Sequence, residues 1–199
     1  MVDEELIKKS KEYAEKIYRI LDGRKIKKDK LREFIVAGFL SISRDHHCAI
    51  ISLLEKGIYS SAFALLRPLI DSIYRGLWVS QVASEEEIGK IYSTEYKFET
   101  KTYKYVDKID KENNTNVFHE RYKQMAPFLH DMTHGGIEQL SRQFDKEGSV
   151  FVSFSDKDLS SLLNNANVLI SRLLIEYDKF QDDNTLKKLG EEIIRNKFE

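Results

Sequence analysis

The sequence predicts an all-α protein, an up-down bundle of about six to seven helices with at most one short extended segment near residues 149–154. Three observations carry that expectation. Only two prolines and nine glycines interrupt 199 residues, so few positions oppose regular helix. Apolar residues recur every three or four positions over long stretches, the spacing that gathers them on one helical face. Helix-start signals stand where such stretches begin: Ser84 with Glu87 forms a capping box, and Ser155 precedes an apolar run.

In chain order, the first helix runs from the N-cap candidate Asp3 along Leu6, Tyr13, Ala14, Ile17 and Leu21 to the stop at Gly23. The second runs from near Asp29 to Gly57, and its stripe of Leu31, Ile35, Phe39, Ile42, His46, Ala49, Ile50 and Leu53 puts His46 in the apolar face and His47 just past its edge. A third, about 60–83, is apolar around most of its circumference and so is expected at the centre of the bundle. Pro68 either kinks it or opens a new segment after an earlier break.

The fourth helix starts at the Ser84 box and continues through Ile88, Ile91, Tyr92, Phe98, Tyr105 and Ile109, and the polar stretch 108–116 reads as a loop. A fifth begins near Thr115, contains Pro127, bends or breaks at Gly135-Gly136 and resumes with Ile137, Leu140 and Phe144. Residues 149–154 alternate like extended chain. Ser155 then caps a sixth helix through Leu159, Leu162, Ala166, Leu169, Leu173 and Tyr177, and a seventh, about 184–197, closes the chain. The whole of 1–199 reads as one helical domain, a length that supports its own core.

Composition narrows the function classes. Lys+Arg 32 against Asp+Glu 33 leaves a net charge of -1, so any site for a polyanion must be a local patch. The longest uncharged run, 159–171, is thirteen residues, short of the roughly 20 that span a bilayer. The opening Met1-Val2-Asp3-Glu4-Glu5 lacks the basic start and apolar centre of a secretory signal. A lone cysteine, Cys48, fits a reducing compartment and is expected to be a buried, inert thiol. The expected location is the cytoplasm, without membrane attachment.

Two constellations carry chemistry. In the third helix Arg67, Asp71, Arg75 and Trp78 stand at i, i+4, i+8 and i+11 on one face opposite the apolar side. They read either as an internal ion pair or as an anion site in which guanidinium donors take phosphate or carboxylate and Trp78 stacks on a base. The second constellation is His130-Asp131-Met132-Thr133-His134-Gly135-Gly136, where His130 and His134 share a helical face. Joined by His46 or His47 they would make three imidazoles, the ligand number of an open metal site. That set resembles the three-histidine pattern of DinB-like four-helix metalloproteins.

A broader resemblance rests on Ala64-Leu65-Leu66-Arg67-Pro68-Leu69-Ile70-Asp71, Tyr74-Arg75-Gly76-Leu77-Trp78, Thr133-His134-Gly135-Gly136, Gln139-Leu140, Arg142 and Phe154-Ser155-Asp156. These runs resemble an uncharacterised family of bacterial all-helical proteins, and the likeness implies that Arg67, Asp71, Arg75, Thr133 and His134 belong to one site. More distantly the chain resembles HEPN-type bundles of toxin and antiphage systems. Many of these are metal-independent ribonucleases that pair an arginine and a histidine in an R-x4-6-H motif, usually across a dimer. No arginine here is followed by a histidine at that spacing, so an Arg67–His134 pair would have to be assembled between helices.

The leading expectation is therefore a HEPN-like protein of a bacterial stress or antiphage system that cleaves RNA without a cofactor. His134 would move the proton, Arg67 and Arg75 would stabilise the phosphorane charge, and Asp71 would orient an arginine. Trp78, His130, Thr133, Gly135, His46 and His47 would contact the substrate. The alternatives are a noncatalytic helical binding module and a metal site of His46, His47, His130 and His134. A homodimer is the expected assembly, with RNA or another phosphate-bearing ligand, or a protein, as partner.

Overall fold

The computed structural model describes residues 3–27, 29–145, 147–150, 152–181 and 184–195. The architecture is an all-α bundle in the order α1 (Glu4–Leu21), α2 (Leu31–Glu55), α3 (Tyr59–Ala64), α4 (Leu66–Gln81), α5 (Glu85–Tyr92), α6 (Tyr103–Glu112), α7 (Val117–His134), α8 (Ile137–Ser141), α9 (Asp156–Asp178) and α10 (Thr185–Arg195). Three of the predicted helices are each divided in two, which raises the predicted six or seven to ten among the described residues.

Each division has a local cause. Pro68, in the first turn of α4, has no N–H to offer the Ala64 carbonyl, and the chain breaks just upstream at Leu65. The fourth predicted helix stops at Tyr92, where Thr94 takes φ 65, and resumes at Tyr103. It then continues to Glu112, so the interhelical loop begins at Asn113 rather than at Lys108. The glycine pair ends α7: Gly135 adopts φ 68 in the left-handed region, and Gly136 starts α8. Phe144 falls outside α8 and forms an antiparallel bridge with Val150, which is the extended feature near 149–154; Phe151 lies outside the described residues. So do residues 196 and 197, at the end of the last predicted helix.

The predicted caps are present. Asp3 accepts from Glu5 N–H at 2.9 Å, and Ser84 and Ser155 form capping boxes with Glu87 and Asp158. α2, α4 and α9 pack on one another at the centre, α1 and α10 lie along α9, and α6 and α7 cover α4. α4 buries Leu66, Leu69, Ile70, Ile73, Tyr74, Leu77, Trp78 and Val79, as its broad apolar side requires, and leaves the Arg67, Asp71 and Arg75 face half-open.

α2 corrects the predicted stripe. Its buried side is Ile35, Val36, Leu40, Ser43, His47, Ile50, Ile51 and Leu54, one residue round from the predicted line. His47 is fully buried and His46 is half-buried, while Ile42 is 47% exposed. The reason is polar pairing inside the core. His47 Nε2 lies 2.7 Å from Asn167 Oδ1, Asn167 Nδ2 donates to Ser10 Oγ at 2.8 Å, and the Ser43 and Ser72 hydroxyls meet at 2.9 Å. Satisfied in this way, polar groups sit in a core that an apolar count alone assigns to their neighbours. Cys48 is half-buried rather than buried, and burial pushes its thiol up, away from the reactive thiolate. No helix among the described residues is long and apolar enough to cross a membrane.

Candidate functional site

The face of α4 opposite its packed side carries Arg67, Asp71 and Arg75, each half-buried. α7 crosses beside it, and its last residue, His134, brings Nε2 to 3.1 Å from Arg67 Nη1. A guanidinium can only donate, so His134 Nε2 is the acceptor, and the imidazole in this contact is neutral with its proton on Nδ1. The pair joins residues 67 positions apart in sequence and is exposed to solvent.

The Thr133-His134-Gly135-Gly136 run explains why His134 stands there. Gly136 N–H donates to the Asp131 carbonyl at 2.8 Å, and Asp131 Oδ2 accepts from Glu138 N–H at 3.2 Å. The chain folds so closely on Asp131 that a Cβ on Gly136 would lie 2.5 Å from the Asp131 carboxyl carbon and 2.8 Å from its Cα. The helix therefore ends abruptly at His134 and leaves its ring at the tip. His130, one turn earlier and exposed, has its ring centroid 4.7 Å from that of His134. The Thr133 hydroxyl donates back to the Leu129 carbonyl at 2.7 Å and so serves its own helix.

Asp71 accepts from the hydroxyl of Thr102, which leads into α6. Among the described residues no ion pair joins Asp71 to Arg67 or Arg75, so the predicted internal ion pair does not form and Asp71 does not orient an arginine. Tyr122 of α7 lies beside Thr102, within electrostatic reach of Asp71 and Arg67, and burial pushes its phenol up, so that it remains a donor at neutral pH. Thr102 and Tyr122 were not singled out in the sequence. Both reach the site from α6 and α7 by long-range packing, which leaves no periodic signal.

Other predicted members are placed elsewhere. Arg75 lies two turns beyond Arg67, roughly 12 Å along the axis. Its Nη2 donates to the Glu99 carbonyl at 3.3 Å, and its guanidinium covers the Phe98 ring at 5.3 Å. Trp78 is fully buried between Tyr96 and Tyr105, with the Lys108 ammonium over its ring, so it cannot stack on a base. His47, enclosed with Asn167, cannot meet a ligand from solvent. Burial lowers the pKa of both His46 and His47, with the Asp45 charge opposing the effect at His46. No three His, Cys, Asp or Glu side chains among the described residues are grouped as a metal would need, so His46, His47, His130 and His134 do not form the alternative metal site.

The fold and the site together define an all-α bundle with a surface arginine–histidine pair built between two helices. Residues 40–188 match the model of a family of unknown function, DUF6988, and the chain belongs to that family. No curated protein and no solved structure matches it.

Proposed function

We propose that the Arg67–His134 pair is the centre of a metal-independent RNA-cleaving site in a HEPN-like bacterial protein of stress or antiphage defence. The observation that carries the reading is the 3.1 Å contact between Arg67 Nη1 and His134 Nε2, which supplies between helices the arginine and histidine that HEPN-type enzymes hold in one motif. The one lone pair of the neutral imidazole, on Nε2 at the solvent-exposed tip of α7, takes a 2′-hydroxyl proton once the Arg67 donor turns from it to a phosphate oxygen. The freed oxygen attacks the adjacent phosphorus, a P–O bond forms, and the bond to the 5′-oxygen breaks. The products are a 2′,3′-cyclic phosphate and a 5′-hydroxyl, whose proton returns from the imidazolium. Arg67 supplies a fixed positive charge for the phosphorane, and Tyr122 supplies a protonated phenol beside it. Arg75, directed to Glu99, contributes to backbone placement rather than to the reacting phosphate.

The test is cleavage of a dual-labelled oligoribonucleotide in excess EDTA, with product ends resolved by mass spectrometry. A cyclic phosphate end and a loss of about 10²–10⁴-fold in His134→Ala are expected. An inactive parent with intact fold, or full activity in His134→Ala, refutes the reading.

The noncatalytic alternative is favoured by one observation, the run of exposed apolar residues just past His134. Ile137 is 71% exposed, and Leu140, Phe144 and Val150 are exposed as well. Such a patch suits a homodimer or protein-partner interface. Sedimentation of Ile137→Glu against the parent separates a lost dimer from a lost activity.

A further inference from the structure

We infer that Arg121 and Arg172 form a second anion site, separate from the Arg67–His134 pair, that takes a small phosphate monoester carrying an apolar or aromatic group. Arg121 of α7 and Arg172 of α9 face a cleft of about 380 Å³ shared with Gln124, Met125, Asn165 and Val168. Continuous with the same residues is an inner cavity of about 80 Å³ reached by Ile70, Tyr74, Tyr122 and Leu169. Neither guanidinium has a hydrogen-bond or ion-pair partner among the described residues. Arg172 is half-buried, with its guanidinium over the face of Phe118 at 4.9 Å.

Drawing a guanidinium partly out of water without a counter-charge is unfavourable. Here burial pushes the Arg172 pKa down, Tyr74 opposes it, and the like charge of Arg121 adds a further lowering. The carboxylate that acts on the neighbouring Tyr74, Asp110, is already held by the backbone N–H groups of Phe118 at 3.3 Å and His119 at 2.7 Å. The positive charge is therefore left for a ligand.

The chemistry of the cleft selects the ligand class. Two unpaired guanidiniums favour a dianion, and a phosphate monoester carries about -1.5 to -2 at neutral pH where a carboxylate carries -1. The Tyr74 phenol, pushed up to about 12 by burial, stays protonated and can donate to a phosphate oxygen. Asn165, whose Nδ2 donates to Ser161 Oγ at 3.4 Å, has a second amide N–H for the same ligand. Ile70, Met125, Val168 and Leu169 offer an apolar wall that inorganic phosphate would leave unused.

Isothermal titration with phenyl phosphate, inorganic phosphate and phenol separates these contributions. The expected result is one site per chain for phenyl phosphate, with inorganic phosphate weaker and phenol weaker still. Arg121→Gln and Arg172→Gln should each weaken it by about tenfold or more, the range for one charge-assisted hydrogen bond. Arg121 is exposed, so its variant keeps the test open if Arg172→Gln fails to fold. His134→Ala should bind phenyl phosphate as the parent does, and Arg121→Gln should keep any RNA cleavage, so this inference and the RNA reading fail separately. Absence of saturation by about 10 mM, unchanged affinity in both arginine variants, or loss of binding in His134→Ala would overturn it. Inorganic phosphate binding as tightly as phenyl phosphate would overturn the apolar half of the proposal.

Discussion

Acidification should destabilise the protein through His47, and the size of the effect follows from its surroundings. The ring is fully buried. Asn167 Nδ2 donates to Ser10 Oγ, so Asn167 Oδ1 is left to accept and His47 Nε2 carries the proton. Nδ1 then faces the core as an acceptor with no partner, and protonating it would bury a charge with no counter-ion. Burial accordingly lowers the His47 pKa below its ordinary 6.5, with the Asn167 hydrogen bond opposing the effect.

The sign follows from proton counting. Below pH 6.5 the unfolded chain takes up a proton that the folded chain refuses, so stability is full above 6.5 and falls as the pH drops towards the folded pKa. From pH 6.5 to 5.5 one such histidine removes up to about 1 kcal/mol, or about 2–4 °C in Tm for a chain of this length. His46, whose pKa is also lowered by burial, adds to the slope, so the informative comparison is the parent against His47→Gln. The Gln Nε2 can keep the bond to Asn167 while the titrating ring is gone. The variant should start about 1–2 kcal/mol less stable at pH 7.5, from the lost ring volume, and should lose less on acidification. Calorimetric scans at pH 7.5, 6.5 and 5.5 check this; parallel pH curves for the two proteins would refute the reasoning.

Three further outcomes test the packing and the site. Gly190→Ala should destabilise by about 1–2 kcal/mol in urea titration, because a Cβ would lie 2.6 Å from Ile175 Cγ1 and 2.9 Å from the Ser171 carbonyl, and that crowding exceeds the gain in helix propensity. Arg32→Ala should cost about 1–3 kcal/mol in the same assay: it removes the donors to the Val79 and Ala83 carbonyls, the latter at 2.7 Å, and the 2.6 Å pair with Glu85, leaving the end of α4 uncapped. His134→Ala and Arg67→Ala should each change stability by about 0.5 kcal/mol or less, since both side chains reach solvent, whereas a purely structural pair would melt early.

Much of this was legible in the chain because it rests on local chemistry. The caps at Asp3, Ser84 and Ser155, the central position of the apolar third helix and the stop at Gly135 each follow from a few consecutive residues. Periodicity failed where polar atoms enter the core. His47 and Ser43 look like surface residues until Asn167 and Ser72, far along the chain, satisfy them. The Arg67 and His134 residue types were legible, and their spacing in sequence excluded a local motif, but their meeting depends on how α7 crosses α4. Trp78 shows the opposite failure. It shares the helical face of Arg67 by spacing, yet α6 and the segment before it close over that end and bury it.

A net charge of -1 need not leave the molecule indifferent to anions, because the charges are not evenly neutralised. Many cations are matched by carboxylates: Lys16 with Glu192, Arg44 with Asp45, Lys90 with Glu86, Lys104 with Glu99 and Arg142 with Asp158. Arg67, Arg121 and Arg172 have no carboxylate partner among the described residues, and all three lie against or on α7. Tyr122 on that helix faces the Arg67 site through Thr102 and also lines the Arg121–Arg172 cavity. Three guanidiniums without a carboxylate partner therefore lie on or against one helix, a local patch that attracts an anion without requiring a basic protein.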